Sequence, residues 1–166
     1  IWAVEKGHTA CLQLLLDAKA NVNIASNAKA FPLKIAAEKG HADCLQLLLE
    51  GKADVEAIDK DGNTALIMAT DAGHSACLRL LIDAKVNIEA KGEDGATAMF
   101  IAASGGETEC LQMLLDAKAD PNDRNQYGET ALMDAADRGN TECLQMLIAA
   151  NANIDVSDQN GDTALI

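Results

Sequence analysis

Within residues 59–91 the apolar positions fall into two short runs separated by a polar break. In the second run Cys77, Leu78, Leu81 and Ile82 recur at helical spacing and predict a helix over roughly 75–84. Before it, Thr64 stands as an N-cap for a shorter helix over roughly 65–72, and Gly73-His74 breaks that helix. Asp61-Gly62 is a turn signal ahead of the pair, and Val86-Asn87-Ile88 leads into the next hairpin.

The whole pattern returns every 33 residues. Gly62 shifts onto Gly95, Gly128 and Gly161, and Thr64 onto Thr97, Thr130 and Thr163. Cys11, Cys44, Cys77, Cys110 and Cys143 keep the same interval. A period of this size is the signature of a repeat architecture, in which each unit buries its apolar side against its neighbours. Four units are complete, 26–58, 59–91, 92–124 and 125–157, with part-units at 1–25 and 158–166. The expected organisation is a single array over 1–166.

The unit resembles the ankyrin repeat. That family's pattern runs Gly-x-Thr-Pro-Leu, two alanines, Gly-His, a Leu-Leu pair and a polar hairpin. Here it reads Gly62, Thr64, Ala65, Leu66, Ala69, Gly73-His74, Leu80-Leu81 and Asn87, and the resemblance spans the chain. It implies an all-α solenoid of stacked helix-turn-helix units with short β-hairpin loops. Proline follows the threonine position only at Pro32, and Lys19, Lys52, Lys85, Lys118 and Asn151 stand where the family places glycine. Either the chain turns left-handed there, at about 1–2 kcal/mol for each residue, or the turn is rearranged.

The unit 26–58 has the weakest start. Lys29 replaces the turn glycine and Phe31 replaces the capping threonine, a loss that typically costs about 1 kcal/mol. Pro32 still suits the first helical position, so a helix entered through a distorted turn is expected. Ile1-Trp2-Ala3-Val4 aligns with residues 34–37 and so begins inside a first helix, while Thr163-Ala164-Leu165-Ile166 stops where one begins. Residues are therefore expected on both sides of this segment.

Composition narrows the function. The chain is 49% apolar but only 2% aromatic, as thin layers of short helices packed through Ala and Leu require. No apolar run reaches the ~18 residues of a membrane span, and no signal-peptide pattern opens the chain. The net charge of −13 argues against nucleic acid, whose binders carry basic patches. Five cysteines, none close in sequence, read as small buried hydrophobes rather than a disulfide or zinc framework. They point to a reducing, intracellular compartment, the cytoplasm.

His8-x-x-Cys11, His41-x-x-Cys44 and His74-x-x-Cys77 have metal-ligand spacing, but Glu107 and Asn140 take the histidine position in the later units. Zinc wants four ligands and each unit offers two. The histidines read instead as turn residues whose rings bond loop backbone. Glu93-Asp94 reads as a solvated hairpin tip. No catalytic constellation, cofactor fingerprint or metal site is expected, and no enzyme or small-molecule substrate.

The resemblance implies that partners bind a concave face of hairpin tips and first helices. Carried over by position, the tips are Asn27-Ala28, Lys60-Asp61, Glu93-Asp94, Gln126-Tyr127 and Gln159-Asn160, with Asn63 and Glu129 after the turn glycines. First-helix positions add Met68, Asp71, Ile101, Ser104, Asp134, Asp137 and Arg138, and the inter-unit positions add Ile58, Lys91 and Arg124. These columns vary between units while the Gly, Thr, Ala, Cys and Leu columns scarcely do. With the matching positions Glu5-Lys6, Glu38-Lys39 and Asp162 and with Lys34 added, ten acids stand against seven bases on this face, so most of the negative charge lies on the back. Asp134 is odd in a column of Trp2, Ile35, Met68 and Ile101, either as a tolerant rim position or as a polar contact. Tyr127 is the one large aromatic at a tip, with Arg124 and Arg138 near it in sequence as donors for a partner's carboxylate. A protein-interaction module is the leading expectation. The alternatives are a structural spacer in a longer array and the targeting arm of an enzyme whose catalytic domain lies outside this segment.

Overall fold

The computed structural model describes residues 1–26 and 29–166. All its regular elements are helical, apart from one isolated antiparallel bridge, Arg124 to Thr130. The chain divides into two compact units, Ile1–Asn87 and Ile88–Ile166.

The first unit holds three helix pairs: α1 (Trp2–Glu5) with α2 (Thr9–Asp17), α3 (Pro32–Glu38) with α4 (Ala42–Glu50), and α5 (Ala65–Asp71) with α6 (Ser75–Asp83). The first helices pack in one row, α1 on α3 on α5, and the second helices in another, α2 on α4 on α6. Between the rows lie Leu33, Ala36, Leu45, Leu48, Leu66, Ala69, Leu78 and Leu81, all buried. Alanine at the crossing points lets helices of one or two turns approach closely.

The second unit repeats the plan with α7 (Ala98–Gly105), α8 (Thr108–Asp116), α9 (Ala131–Asp137) and α10 (Thr141–Ala149). Here α7 packs on α9 and α8 on α10 around Ala102, Leu111, Leu114, Leu132, Ala135 and Leu147. Buried Cys110 and Cys143 belong to this core, as Cys44 and Cys77 belong to the other.

Caps follow the threonine column. Thr64, Thr97 and Thr130 accept from the N–H three residues on, each at 3.4 Å. Phe31 begins α3 with no side-chain cap, and Pro32 takes the first turn. Lys29 nevertheless holds the glycine's left-handed conformation, φ 53°. Thr163 starts no helix; residues 163–166 form a turn closed by the Ile166 N–H on the Thr163 carbonyl.

The second helices end in left-handed residues. Lys19, Lys52, Lys85, Lys118 and Asn151 have φ between 61° and 71°. The N–H that follows each one reaches back to close the last turn, as Ala20 does onto Leu15 at 2.9 Å and Ala119 onto Leu114 at 3.0 Å. The turn has not rearranged to spare the lysines.

One expectation needs correction. Cys11 is exposed, unlike the other four. It lies with Leu14 and Leu15 on an exposed side of α2 that, among the described residues, no other helix covers, so its column alone does not bury it.

Candidate partner-binding face

The hairpin tips owe their shape to a column that sequence inspection had passed over: Ser26, Asp59, Gly92, Asn125 and Asp158. Asp59 Oδ1 accepts the N–H of Asp61 and of Asn63, both at 2.9 Å. Asn125 Oδ1 does the same for Tyr127 and Glu129, and Asp158 Oδ1 for Asn160 and Asp162. A short side-chain acceptor thus folds the loop onto itself. Gly92 has none to offer, and its loop instead makes a 3₁₀ turn, Glu93–Gly95, with Asp94 left-handed at φ 55°.

In the first unit Asp59 also ties the tip to a first helix. Its Oδ2 meets Lys34 Nζ at 2.7 Å, with both side chains largely buried. Burial opposes ionisation of Asp59, but the hydrogen bonds from Lys34, Asn63 and Asp61 outweigh it and hold the carboxyl below its ordinary 3.8. Lys34 is therefore a strut under the tip. Lys60 and Asp61 are exposed above it, with Nζ and Oδ2 3.8 Å apart. Asn63 and Met68 are partly exposed, while Ile58 and Asp71 are open.

In the second unit three tips are bonded in a row. The Gln126 N–H donates to the Asp94 carbonyl at 2.8 Å and the Gln159 N–H to the Tyr127 carbonyl at 3.1 Å. Gln126 Nε2 and the Tyr127 hydroxyl both donate to Asp94 Oδ1, the latter at 3.2 Å. Tyr127 is 49% exposed, so its hydroxyl is held while its ring stays open. Lys91 Nζ bridges Asp123 and the Arg124 carbonyl, at 3.0 and 2.8 Å. Asn125 Nδ2 donates to Glu129 at 2.7 Å.

Of the two arginines near Tyr127 in sequence, only one is without an acidic partner among the described residues. Arg138 Nε lies 2.7 Å from Asp134 Oδ2 one turn earlier in α9, which also gives Asp134 its local partner. The Arg124 guanidinium is exposed and meets no acid among the described residues. Glu93, Asp137 and Arg138 are exposed, and Ile101 and Ser104 partly so. Met133, Asp134, Asp137, Asp158 and Asp162 line an open acidic depression of about 390 Å³. Every described residue of the expected face is at least partly accessible; Asn27-Ala28 lie outside the described residues.

Within the histidine column, one ring makes the expected bond to backbone. His41 reaches the Glu5 carbonyl through Nε2 at 3.3 Å. Asn140 does this more fully, donating to the Ala103 and Ser104 carbonyls at 2.8 Å each. Among the described residues no group of three or more His, Cys, Asp or Glu is placed to hold a metal ion. Nor is any described helix long and apolar enough to cross a membrane.

A further column laces neighbouring repeats together at their outer loops. Asn23 Oδ1 accepts the Asp54 N–H at 2.8 Å and Glu56 Oε1 the Asn87 N–H at 2.7 Å. In the second unit Glu89 Oε1 takes the Asp120 N–H at 2.9 Å and Asn122 Oδ1 the Asn153 N–H at 2.7 Å. Sequence inspection assigned the acceptors Asn23, Glu56, Glu89 and Asn122 no role; a polar residue every 33 positions was the available signal.

The family model for ankyrin repeats in three copies matches residues 1–92, 33–125 and 85–160. The chain belongs to the ankyrin repeat family. Members of that family are generally protein-protein interaction modules and typically non-catalytic. A search of curated proteins found no match to the chain.

Proposed function

We propose that the chain binds a protein partner through its hairpin tips and first-helix ends, and that in the second unit the contact centres on Tyr127 and Arg124. The observation that carries this reading is the state of Tyr127. Its hydroxyl is held by Asp94 and its ring is half exposed on a bonded row of tips. A large ring with its rotors already restricted loses little entropy on contact. Arg124, unpaired on the same loop, supplies donors for a partner's carboxylate. The variability of the tip columns beside the near-constant framework columns supports the same reading, because positions free of the stack can be fitted to a partner.

The test is capture of partners from extract on the immobilised chain, compared across variants of matched helicity. Tyr127→Ala and Arg124→Ala should release the specifically retained protein, Tyr127→Ala by about 2 kcal/mol or more as a hot spot. Asp83→Ala, on the second-helix row, should leave it bound. Loss on Asp83→Ala with retention on Tyr127→Ala would place the contact on the second helices and overturn the reading.

A further inference from the structure

The residue before the turn position is Ala28, Asp61, Asp94, Tyr127 or Asn160, so Asn160 alone sets a carboxamide beside a turn glycine. Its loop matches the loop at 59–63 bond for bond. Asp59 Oδ1 takes two N–H groups at 2.9 Å, and Asp158 Oδ1 takes the corresponding two at 2.7 and 3.0 Å. The Gly62 N–H reaches the Asp59 carbonyl at 3.3 Å, and the Gly161 N–H reaches the Asp158 carbonyl at 3.3 Å. The two loops differ in the electrophile they present. The side-chain carbon of Asp61 belongs to a carboxylate and resists attack, whereas that of Asn160 belongs to an amide with a nitrogen that can depart. Gly161 has no β-carbon to shield its own nitrogen, and Asn160 is exposed.

We propose that Asn160-Gly161 is a site of spontaneous deamidation that adds charge to this tip. The Gly161 nitrogen, having lost its proton to solvent base, attacks Asn160 Cγ. A C–N bond forms, and Nδ2 takes up a proton and leaves as ammonia. The resulting five-membered succinimide then consumes one water. Opening at the Asn160 main-chain carbonyl gives isoaspartate, and opening at the former side-chain carbonyl gives aspartate. Water is the only co-reactant.

Both products remove the Nδ2 donor that now meets Asp158 Oδ2 at 3.2 Å and set a second carboxylate near the first. Isoaspartate also adds a methylene to the main chain inside a loop closed by three bonds to Asp158. Gln159, in the same loop, donates its N–H to Tyr127 and its Nε2 to the Gln126 carbonyl at 2.6 Å. The disturbance therefore passes to the tip that carries Tyr127. The chemistry does not depend on what that tip binds.

The test is to age the folded protein in mildly alkaline buffer and map its peptides by mass, with isoaspartate separated from aspartate by chromatography. Asn160 should lose its amide before any other asparagine, isoaspartate should dominate, and Asn160→Gln should abolish the early product. Earlier conversion of another asparagine would overturn the assignment. So would survival of Asn160 in the folded protein alongside its rapid loss in urea, since the tip would then protect it. In Asn160→Asp, which folds independently of ageing, amide exchange at Gln159 should quicken; unchanged exchange there would sever the proposed link to Tyr127.

Discussion

The imidazole of His41 lies 2.9 Å from the point a β-carbon on Gly7 would occupy. His74 stands in the same relation to Gly40, at 2.8 Å, and Asn140 to Gly106, at 3.1 Å. The glycine of one repeat and the polar residue opening the second helix of the next are thus a single fitted pair. Gly40 also has φ +71°, so a side chain there is strained as well as blocked. Gly40→Ala should cost about 2–3 kcal/mol, combining left-handed strain with overpacking. Gly139→Ala, at φ +70° with nothing within 4 Å, should cost only the strain, about 1–2 kcal/mol. Urea midpoints of the two variants check the difference.

Thiol reactivity should sort the cysteines by burial rather than by column. Native alkylation should mark Cys11 quickly and leave Cys44, Cys77, Cys110 and Cys143 unmodified until the chain opens. Burial pushes the Cys77 thiol up to about 11, and burial with the charges of Glu107 and Glu109 does the same at Cys110. In the unfolded chain these thiols ionise near their ordinary 9.0, so between that value and about 11 the unfolded state has lost protons the folded state keeps. Stability should therefore fall as pH rises through this window. Cys77→Ala should flatten the fall, read from urea midpoints across alkaline pH.

The Lys34–Asp59 strut should dominate the acid side of the first unit. Asp59 titrates lower in the fold than in the open chain, so its contribution is present above the unfolded value and lost as pH falls through the folded one. Lys34→Ala leaves Asp59 buried and unpaired. Its cost should approach the ~3–5 kcal/mol of a broken buried pair, reduced by the partial exposure of Lys34. The double variant Lys34→Phe with Asp59→Asn copies the Phe100 and Asn125 columns of the second unit and should recover most of that loss. A double-mutant cycle with acid unfolding curves measures it.

Glycine should be better than lysine at the ends of the second helices. Lys118 sits at φ 71°. Lys118→Gly removes left-handed strain of about 1–2 kcal/mol, while losing a cation near a helix C-terminus, worth about 0.3–1 kcal/mol, and freeing the unfolded chain. A net gain of about 0.5 kcal/mol is expected from this balance. A lower urea midpoint than the parent would show that the lysine is held by more than its backbone.

The helices were legible because each depends on residues within its own repeat. Residues 65–72 and 75–84 were expected, and Ala65–Asp71 and Ser75–Asp83 are observed. The uncapped start at Phe31 and the two possible fates of the lysine turns could also be stated in advance. Part of what eluded inspection depends on the neighbouring repeat. Nothing local marks Asp59 as buried, because Lys34 reaches it from another helix. Nothing in the sequence of α9 says that Arg138 is committed to Asp134 while Arg124 is not, since i,i+4 spacing permits a pair without requiring it. Cys11 carried the right column and the wrong surroundings. The tip face was legible as a set of positions, but the bonds that fix Tyr127 on Asp94 arise only when loops 33 residues apart are set side by side.

The lacing at the outer loops bears on how such a chain can change over generations. In each lace the acceptor side chain comes from the earlier repeat, and the donor is a bare main-chain N–H of the later one. Every residue but proline carries that donor. A repeat inserted by duplication or exchanged by recombination thus arrives with its half of the joint already present, and needs only Asn or Glu in the preceding copy to be received. The joint tolerates turnover of whole repeats while forbidding a slip of a few residues, which would carry the acceptor away from its N–H.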